Sequence, residues 1–227
     1  MSKPWVTLDE RETPDGTLEL RRRDHDDFLI LVAGRVLMNS RESRSEEVLG
    51  IKTCEAVAAA GGEGRVLVGG LGMAMTLRAV LDTVPSGCAV DVAELHPIVA
   101  EWCRGPLAEL TSGAVLDARV NVRIEDVSET IRAAAASGQT YDAIVLDLFE
   151  GPHARTNARK DPLYGSAAID RTWKALAPGG TLGVWAEGPD RGFEGRLKKR
   201  GFAVDGLRPG RGGFRHWVVL ARKPGRG

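Results

Sequence analysis

Two carboxylates, Asp147 and Glu150, follow directly on the most apolar run of the chain, Tyr141-Asp-Ala-Ile-Val-Leu146. Burying a carboxylate at the end of an apolar strand is costly without a partner, so an acid there points to work on a ligand. Gly151 and Pro152 prevent the helix that the spacing would otherwise favour, which leaves both acids on a loop. Such a pair can take a proton from an amine or hydroxyl, or hold a cation. For Glu150, a plain ion-pair role in holding the loop is the alternative.

Further upstream, Arg65-Val-Leu-Val-Gly-Gly-Leu-Gly-Met-Ala-Met-Thr-Leu-Arg78 joins a short apolar strand to a helix through Gly69, Gly70 and Gly72. Ala74, Leu77, Val80 and Leu81 recur at helical spacing, so the turn is expected to present free backbone N–H groups at a helix N-terminus. Met75 stands where a dinucleotide fingerprint carries its third glycine, and a glycine turn made only for close packing would look alike. The acids at later strand ends favour a nucleotide. Glu94 lies 22 residues beyond Gly72, the separation at which a carboxylate accepts the hydroxyls of a ribose. Asp126 can hold an adenine amino group or cap the helix that follows.

These residues need a framework that brings successive strand ends to one edge. Apolar segments at 66–68, 89–93, 120–124, 141–146 and 181–185 alternate with helical patterns at 97–110, 127–136, 169–176 and 193–200. Two last strands are expected near 202–204 and 216–220. Alternation of this length implies an α/β fold: a doubly wound, mostly parallel, seven-stranded sheet with right-handed crossovers and ligands at the carboxyl ends of its strands. Before it, residues 17–22, 28–32 and 35–38 form a small antiparallel β unit. Ser45 is expected to cap the first helix, with Val48, Leu49, Ile51 and Val57 inward. The domain reading is thus residues 1–44 as a β unit and 45–227 as the ligand-binding domain.

Composition narrows the function classes. A 227-residue chain with 43% hydrophobic residues can bury a full core, and its 31 basic and 31 acidic side chains cancel, so no global field favours nucleic acid or membrane. Cys54, Cys88 and Cys103 are odd in number, without a C-x-x-C pair, and are expected to be reduced and buried. No signal-like or membrane-spanning run is visible and the four histidines are dispersed, so a cytoplasmic protein without a metal site is expected.

Gly69-Gly-Leu-Gly72, Val92-Ala-Glu-Leu-His-Pro97, Ile124-Glu-Asp126, Leu146-Asp-Leu-Phe-Glu-Gly-Pro152 and Pro178-Gly-Gly180 together resemble the successive motifs of spermidine synthases and their bacterial relatives. Those proteins share the fold of class I S-adenosylmethionine-dependent methyltransferases. The resemblance implies S-adenosylmethionine or its decarboxylated form as cofactor. Gly69, Gly70 and Gly72 would lie by its methionine part, Glu94 and Leu95 by the ribose, Glu125, Asp126 and Val127 by the adenine, and Asp147 beside the transferable carbon. It also implies a homodimer. Leu71 stands where spermidine synthases carry an aspartate for the amino group of the decarboxylated cofactor, their glutamine and Tyr-His pair have no obvious counterparts, and their second aspartate is Glu150. Between Gly151 and Asp161, Arg155, Arg159 and Lys160 oppose one acid, which suits a polycation poorly. Arg208, Arg211 and Arg215 extend the basic rim or merely solvate their loop.

The reading that results is a transferase with Asp147 and Glu150 as catalytic acids and Arg155, Asn157 and Tyr164 as contacts to a small-molecule acceptor. Methyl transfer to an amine or hydroxyl is placed ahead of aminopropyl transfer to a diamine. A non-catalytic adenosyl-ligand-binding protein comes next, and an NAD-dependent dehydrogenase last.

Overall fold

The computed structural model describes residues 3–153, 156, 158–210 and 216–225. The chain begins with a four-stranded antiparallel sheet in sequential order: β1 (Val6–Arg11), β2 (Leu18–Arg23), β3 (Asp27–Val32) and β4 (Arg35–Asn39). The sequence reading lacked β1. Its Val-Thr-Leu start suits a strand, while Asp9, Glu10 and Arg11 give it the charged character of a sheet edge. Leu18, Leu20, Phe28, Ile30 and Val32 of this sheet share a core with the following domain.

That domain is a seven-stranded sheet in the order β10-β11-β9-β8-β5-β6-β7. Its strands are β5 (Arg65–Gly69), β6 (Ala89–Glu94), β7 (Val120–Ile124), β8 (Tyr141–Leu146), β9 (Leu176–Ala186), β10 (Ala203–Leu207) and β11 (Trp217–Arg222). All neighbours pair parallel except β11, which is antiparallel to both β9 and β10. From β5 the chain runs outward to β6 and β7, then returns to β8 on the other side of β5. The switch point, where such sheets bind ligands, therefore lies between β5 and β8.

Side-chain alternation sorts the strands between two cores. Val66, Val68, Ala143 and Val145 face one, and Leu67, Ile144 and Leu146 face the other. The first is covered by α1 (Arg44–Ala60) and α2 (Met75–Thr83), the second by α4 (Val127–Ser137), α5 (Ser166–Ala175) and α6 (Arg191–Arg200). α1 sits so close to β9 that a Cβ on Gly183 would lie 1.8 Å from Thr53 Oγ1. Cys54, Cys88 and Cys103 are all buried and free.

Several boundaries differ from expectation: β9 begins five residues early, at Leu176, and α5 three residues early, at Ser166. α3 (Pro97–Arg104) ends six residues early because Gly105 and Pro106 interrupt it, and two short 3-10 turns follow. α1 starts at Arg44 with Ser43 in the cap position, so Ser45 lies inside the first turn, where it is buried. No helix among the described residues is long and apolar enough to cross a membrane.

Candidate functional site

Three strand ends meet at the switch point. The Asp147 N–H donates to the Gly69 carbonyl at 2.9 Å, and the Gly70 N–H to the Ala93 carbonyl at 2.9 Å. Gly70 has φ +85°, and a Cβ there would stand 2.1 Å from the Asp147 carbonyl oxygen, so only glycine fits. The turn then consumes donors that the sequence reading left free for a ligand. Leu71 N–H donates to Glu94 Oε2 at 2.8 Å, Met73 N–H to Met38 Sδ at 3.1 Å, and Ala74 N–H to the Leu71 carbonyl at 2.7 Å. Ala74 itself is left-handed, at φ 63°, and caps α2 rather than lying inside it.

Glu94 is buried at the end of β6 and accepts a second backbone hydrogen bond, from His96 N–H to Oε1 at 2.8 Å. Each of its oxygens keeps a further lone pair. Leu95 next to it is exposed. Asp126 is exposed after β7 and is the N-cap of α4, its Oδ1 accepting from Ser128 N–H at 2.8 Å. Glu125 accepts from Thr130 Oγ1 at 2.9 Å, and Val127 is a core residue behind the corner. The cofactor-side residues are thus brought to the ends of three adjacent strands, with Val127 supporting from below.

Asp147 continues the alternation of β8 toward the α1 face and is part-buried. Thr76, in the first turn of α2, donates its hydroxyl to Asp147 Oδ2 at 2.5 Å. Burial pushes the Asp147 carboxyl up from 3.8 to about 7, the negative charge of Glu46 adds to this, and the Thr76 hydrogen bond opposes it. Among the described residues, no lysine or arginine contributes to that balance. Glu46, at the start of α1, is 8% exposed. Its Oε2 accepts from Ser45 Oγ at 2.7 Å, and the same Oγ lies 2.9 Å from His216 Nδ1, just before β11. The His216 ring is tilted against Trp185 of β9, with centroids 5.1 Å apart. Asp147, Trp185 and His216 therefore form a row along the edge made by the carboxyl ends of β8 and β9 and the amino end of β11, beside the first turn of α1.

Glu150 does not join Asp147 as the sequence reading expected. Its side chain is 67% exposed and lies 3.7 Å from His153 Nε2. The acid that shares an environment with Asp147 is Glu46, which the sequence reading missed together with Thr76, Ser45, Trp185 and His216. Tyr164, which the sequence reading offers as an acceptor contact, lies within the electrostatic reach of Asp147 and Glu150. It is buried, packs edge-on to Phe193 at 5.5 Å and donates its hydroxyl to the Glu150 carbonyl at 2.9 Å, so it fixes the loop. Burial raises its phenol well above the usual range. Arg155 and Asn157 fall outside the described residues, as do Arg211 and Arg215, while Arg159 and Lys160 are exposed. Arg208 lies over the Trp217 ring. Leu71 is buried in the core, so the turn offers no acid at that place.

The N-terminal sheet closes over this edge. Trp102 Nε1–H donates to Asp9 Oδ2 at 3.0 Å, Asp15 stands 3.1 Å from His96 Nε2, and the Arg35 guanidinium lies 5.6 Å from the centre of the Phe149 ring.

No family model matches the chain. A polyamine aminopropyltransferase of Mycobacterium tuberculosis is 33% identical over 132 residues, covering 58% of this chain and 24% of the relative. Polyamine aminopropyltransferase 1 of Hyperthermus butylicus is 36% identical over 121 residues, covering 52% of this chain and 39% of the relative. The matched stretch thus spans well under half of either relative. Spermidine synthase from Thermotoga maritima superposes with a TM-score of 0.73 at 18% identity, covering 96% of this chain and 72% of that one. In fold the chain is similar to spermidine synthase. A second spermidine synthase structure, in complex with the transition state analogue AdoDATO, gives a TM-score of 0.71 at 15% identity with the same coverage. These neighbours establish the fold. The sequence reading placed methyl transfer first, and that order is corrected here. The relatives that match in sequence carry the name of aminopropyl transfer, which the sequence reading had placed second.

Proposed function

We propose that this spermidine synthase-like chain is a transferase that moves an aminopropyl group from decarboxylated S-adenosylmethionine to a small primary amine. The observation that carries the proposal is Asp147: a carboxylate at the switch point, raised to about 7 by burial and by the charge of Glu46, with no lysine or arginine of the described residues offsetting that shift. A general base with such a value is poised for work near neutral pH. The buried Glu46 and the part-buried Asp147, with no ion pair to either among the described residues, also suit cationic ligands, and both the sulfonium donor and an alkylammonium acceptor are cations. The relatives named for aminopropyl transfer support the same reading.

The sheet edge divides accordingly. The ends of β5, β6 and β7 would hold the adenosyl part, with Glu94 offering its remaining lone pairs to the ribose and Asp126 its second oxygen to the adenine. The ends of β8, β9 and β11 would hold the acceptor. The acceptor nitrogen forms a bond to the carbon next to the sulfonium as the carbon–sulfur bond breaks, and the electron pair of that bond stays on sulfur in methylthioadenosine. Asp147 orients the nitrogen in line and takes a proton from it once the new bond has formed. Thr76 holds the Asp147 carboxylate in place. The protein's share of the rate is positioning and exclusion of water. A homodimer and a cytoplasmic location belong to the same reading.

The test is turnover by the purified chain with decarboxylated S-adenosylmethionine and a panel of primary amines, read as methylthioadenosine. Methylthioadenosine release that depends on both the amine and Asp147 supports the reading. S-adenosylhomocysteine formed from S-adenosylmethionine, with no methylthioadenosine from any amine, refutes it.

A further inference from the structure

An alkylammonium must lose one proton before its nitrogen has a lone pair to attack with, and this proton is distinct from the one that Asp147 takes after bond formation. The acceptor half of the cleft holds a second buried acid, Glu46, joined by hydrogen bonds to a histidine 171 positions from Ser45 in the chain. A serine hydroxyl has one proton and two lone pairs, so Ser45 Oγ can donate to Glu46 Oε2 or to His216 Nδ1 and accept from the other. The two arrangements differ by the transfer of one proton along the line. His216 is part-buried, so it reaches solvent while Glu46 does not. Nothing in the glycine corner or the adenosyl side uses these groups.

We propose that Glu46 takes the first proton of the acceptor ammonium and that Ser45 and His216 pass it to solvent. The inference rests on the aminopropyl-transfer reading. In the step, an N–H bond of the ammonium breaks and its electron pair stays on nitrogen. The proton joins the Glu46 carboxylate, Glu46 returns a proton to Ser45 Oγ as the Ser45 hydroxyl proton moves to His216 Nδ1, and the imidazolium releases a proton to water. At the end Glu46 is again ionised and Ser45 again donates to it. Among the described residues, the charged groups near the line are Asp147 from β8, Glu47 on the same helix, and Arg44, whose Nε donates to the Pro209 carbonyl. Arg208 lies over Trp217 on the neighbouring loop. Trp185 walls the line on the β9 side.

The experiment compares the wild type with His216→Ala, Ser45→Ala and Ser45→Thr, using 1,4-diaminobutane and decarboxylated S-adenosylmethionine. Losing a proton-transfer group is expected to slow turnover at least about tenfold in His216→Ala and Ser45→Ala. The affinity for methylthioadenosine should stay at the wild-type value in both. Imidazole added to the buffer should restore His216→Ala and not Ser45→Ala, and Ser45→Thr, which keeps the hydroxyl, should behave as the wild type. Unchanged turnover in the alanine variants overturns the inference, as does slow turnover accompanied by weakened methylthioadenosine binding and no imidazole rescue. A wild type that turns over no amine overturns the functional reading and this inference together, whereas wild-type turnover with unaffected variants removes the inference alone.

Discussion

Replacing Asp147 by asparagine should make the protein more stable while abolishing turnover, and the gain should depend on pH in a way that identifies its cause. In the unfolded chain this carboxyl ionises near 3.8, whereas in the folded chain it does so at about 7. Between those values the unfolded state has given up the proton that the folded state still holds. Stability therefore falls as pH rises through this window and levels off above about 7. At about 1.4 kcal/mol per pH unit the displacement amounts to about 4 kcal/mol. Solvent reaches the part-buried carboxyl from the cleft, which reduces the expected cost of its charge to about 1–3 kcal/mol. The asparagine carries no charge, and its side-chain carbonyl can still accept from Thr76. Urea unfolding of wild type and Asp147→Asn at pH 5 and pH 8 is the assay. The variant should be more stable by about 1–3 kcal/mol at pH 8, with the difference shrinking at pH 5. An equal difference at both pH values, or none at pH 8, would refute the claim that Asp147 is held against an unfavourable ionisation.

Thr76→Val removes the hydrogen bond that keeps the Asp147 value down, so the acid limb of the pH–rate profile should move upward from about 7. An unmoved profile in kcat/KM against pH would exclude Asp147 as the titrating base. Glu94→Gln leaves one of the Leu71 and His96 N–H groups facing an amide N–H donor instead of an acceptor. It should cost about 1–3 kcal/mol in urea unfolding and weaken methylthioadenosine binding in calorimetry. Asp117 is pulled down to about 2, chiefly by the Arg119 side chain, which also donates to the Leu81 and Val84 carbonyls at the end of α2. The stability it contributes is full above the ordinary carboxylate range and is lost as pH falls from about 4 toward 2. Asp117→Asn should therefore flatten the acid limb of the stability curve by about 1 kcal/mol, allowing for the exposed part of the pair.

What the sequence made legible is local. Gly70, Glu94, Asp126 and Asp147 each sit where a strand passes into a turn or helix, so a few adjacent residues state both the backbone event and the acid. The seven-strand alternation is legible for the same reason, since each crossover is written in one apolar run and one helical pattern. The groups around Asp147 come from packing instead. Thr76 is 71 positions from it, and Ser45 is 171 from His216. Glu46 gives no signal of its own, because an acid in the first turn of a helix ordinarily balances the helix dipole. Thr76 had a faint one, as the polar residue between Met75 and Leu77. β1 is closed by three charged residues that mask its period, and its seat beside β2, the packing of Leu8 against the core and the Asp9–Trp102 bond tie it down.

The misordered chemistry came from motif departures and from loop charge, and the loop charge has a physical answer. Basic side chains counted along the 151–161 loop argued against a cationic acceptor, yet Arg159 and Lys160 are exposed. Two charges about 4 Å apart interact by about 1 kcal/mol in water and by about 4 kcal/mol in partly screened protein surroundings. A loop charge in solvent therefore says little about the ligand, and a buried one says much. At this edge the buried Glu46 and the part-buried Asp147 are both acids, and among the described residues no lysine or arginine enters the balance that shifts Asp147. The acid missing from the glycine turn at Leu71 also loses much of its weight as an objection. Glu46 supplies negative charge to the same cleft from α1, an element that no motif of the corner contains. Among the described residues, the acids set into this edge thus suit the proposed cationic acceptor, and the exposed loop charges oppose it only weakly.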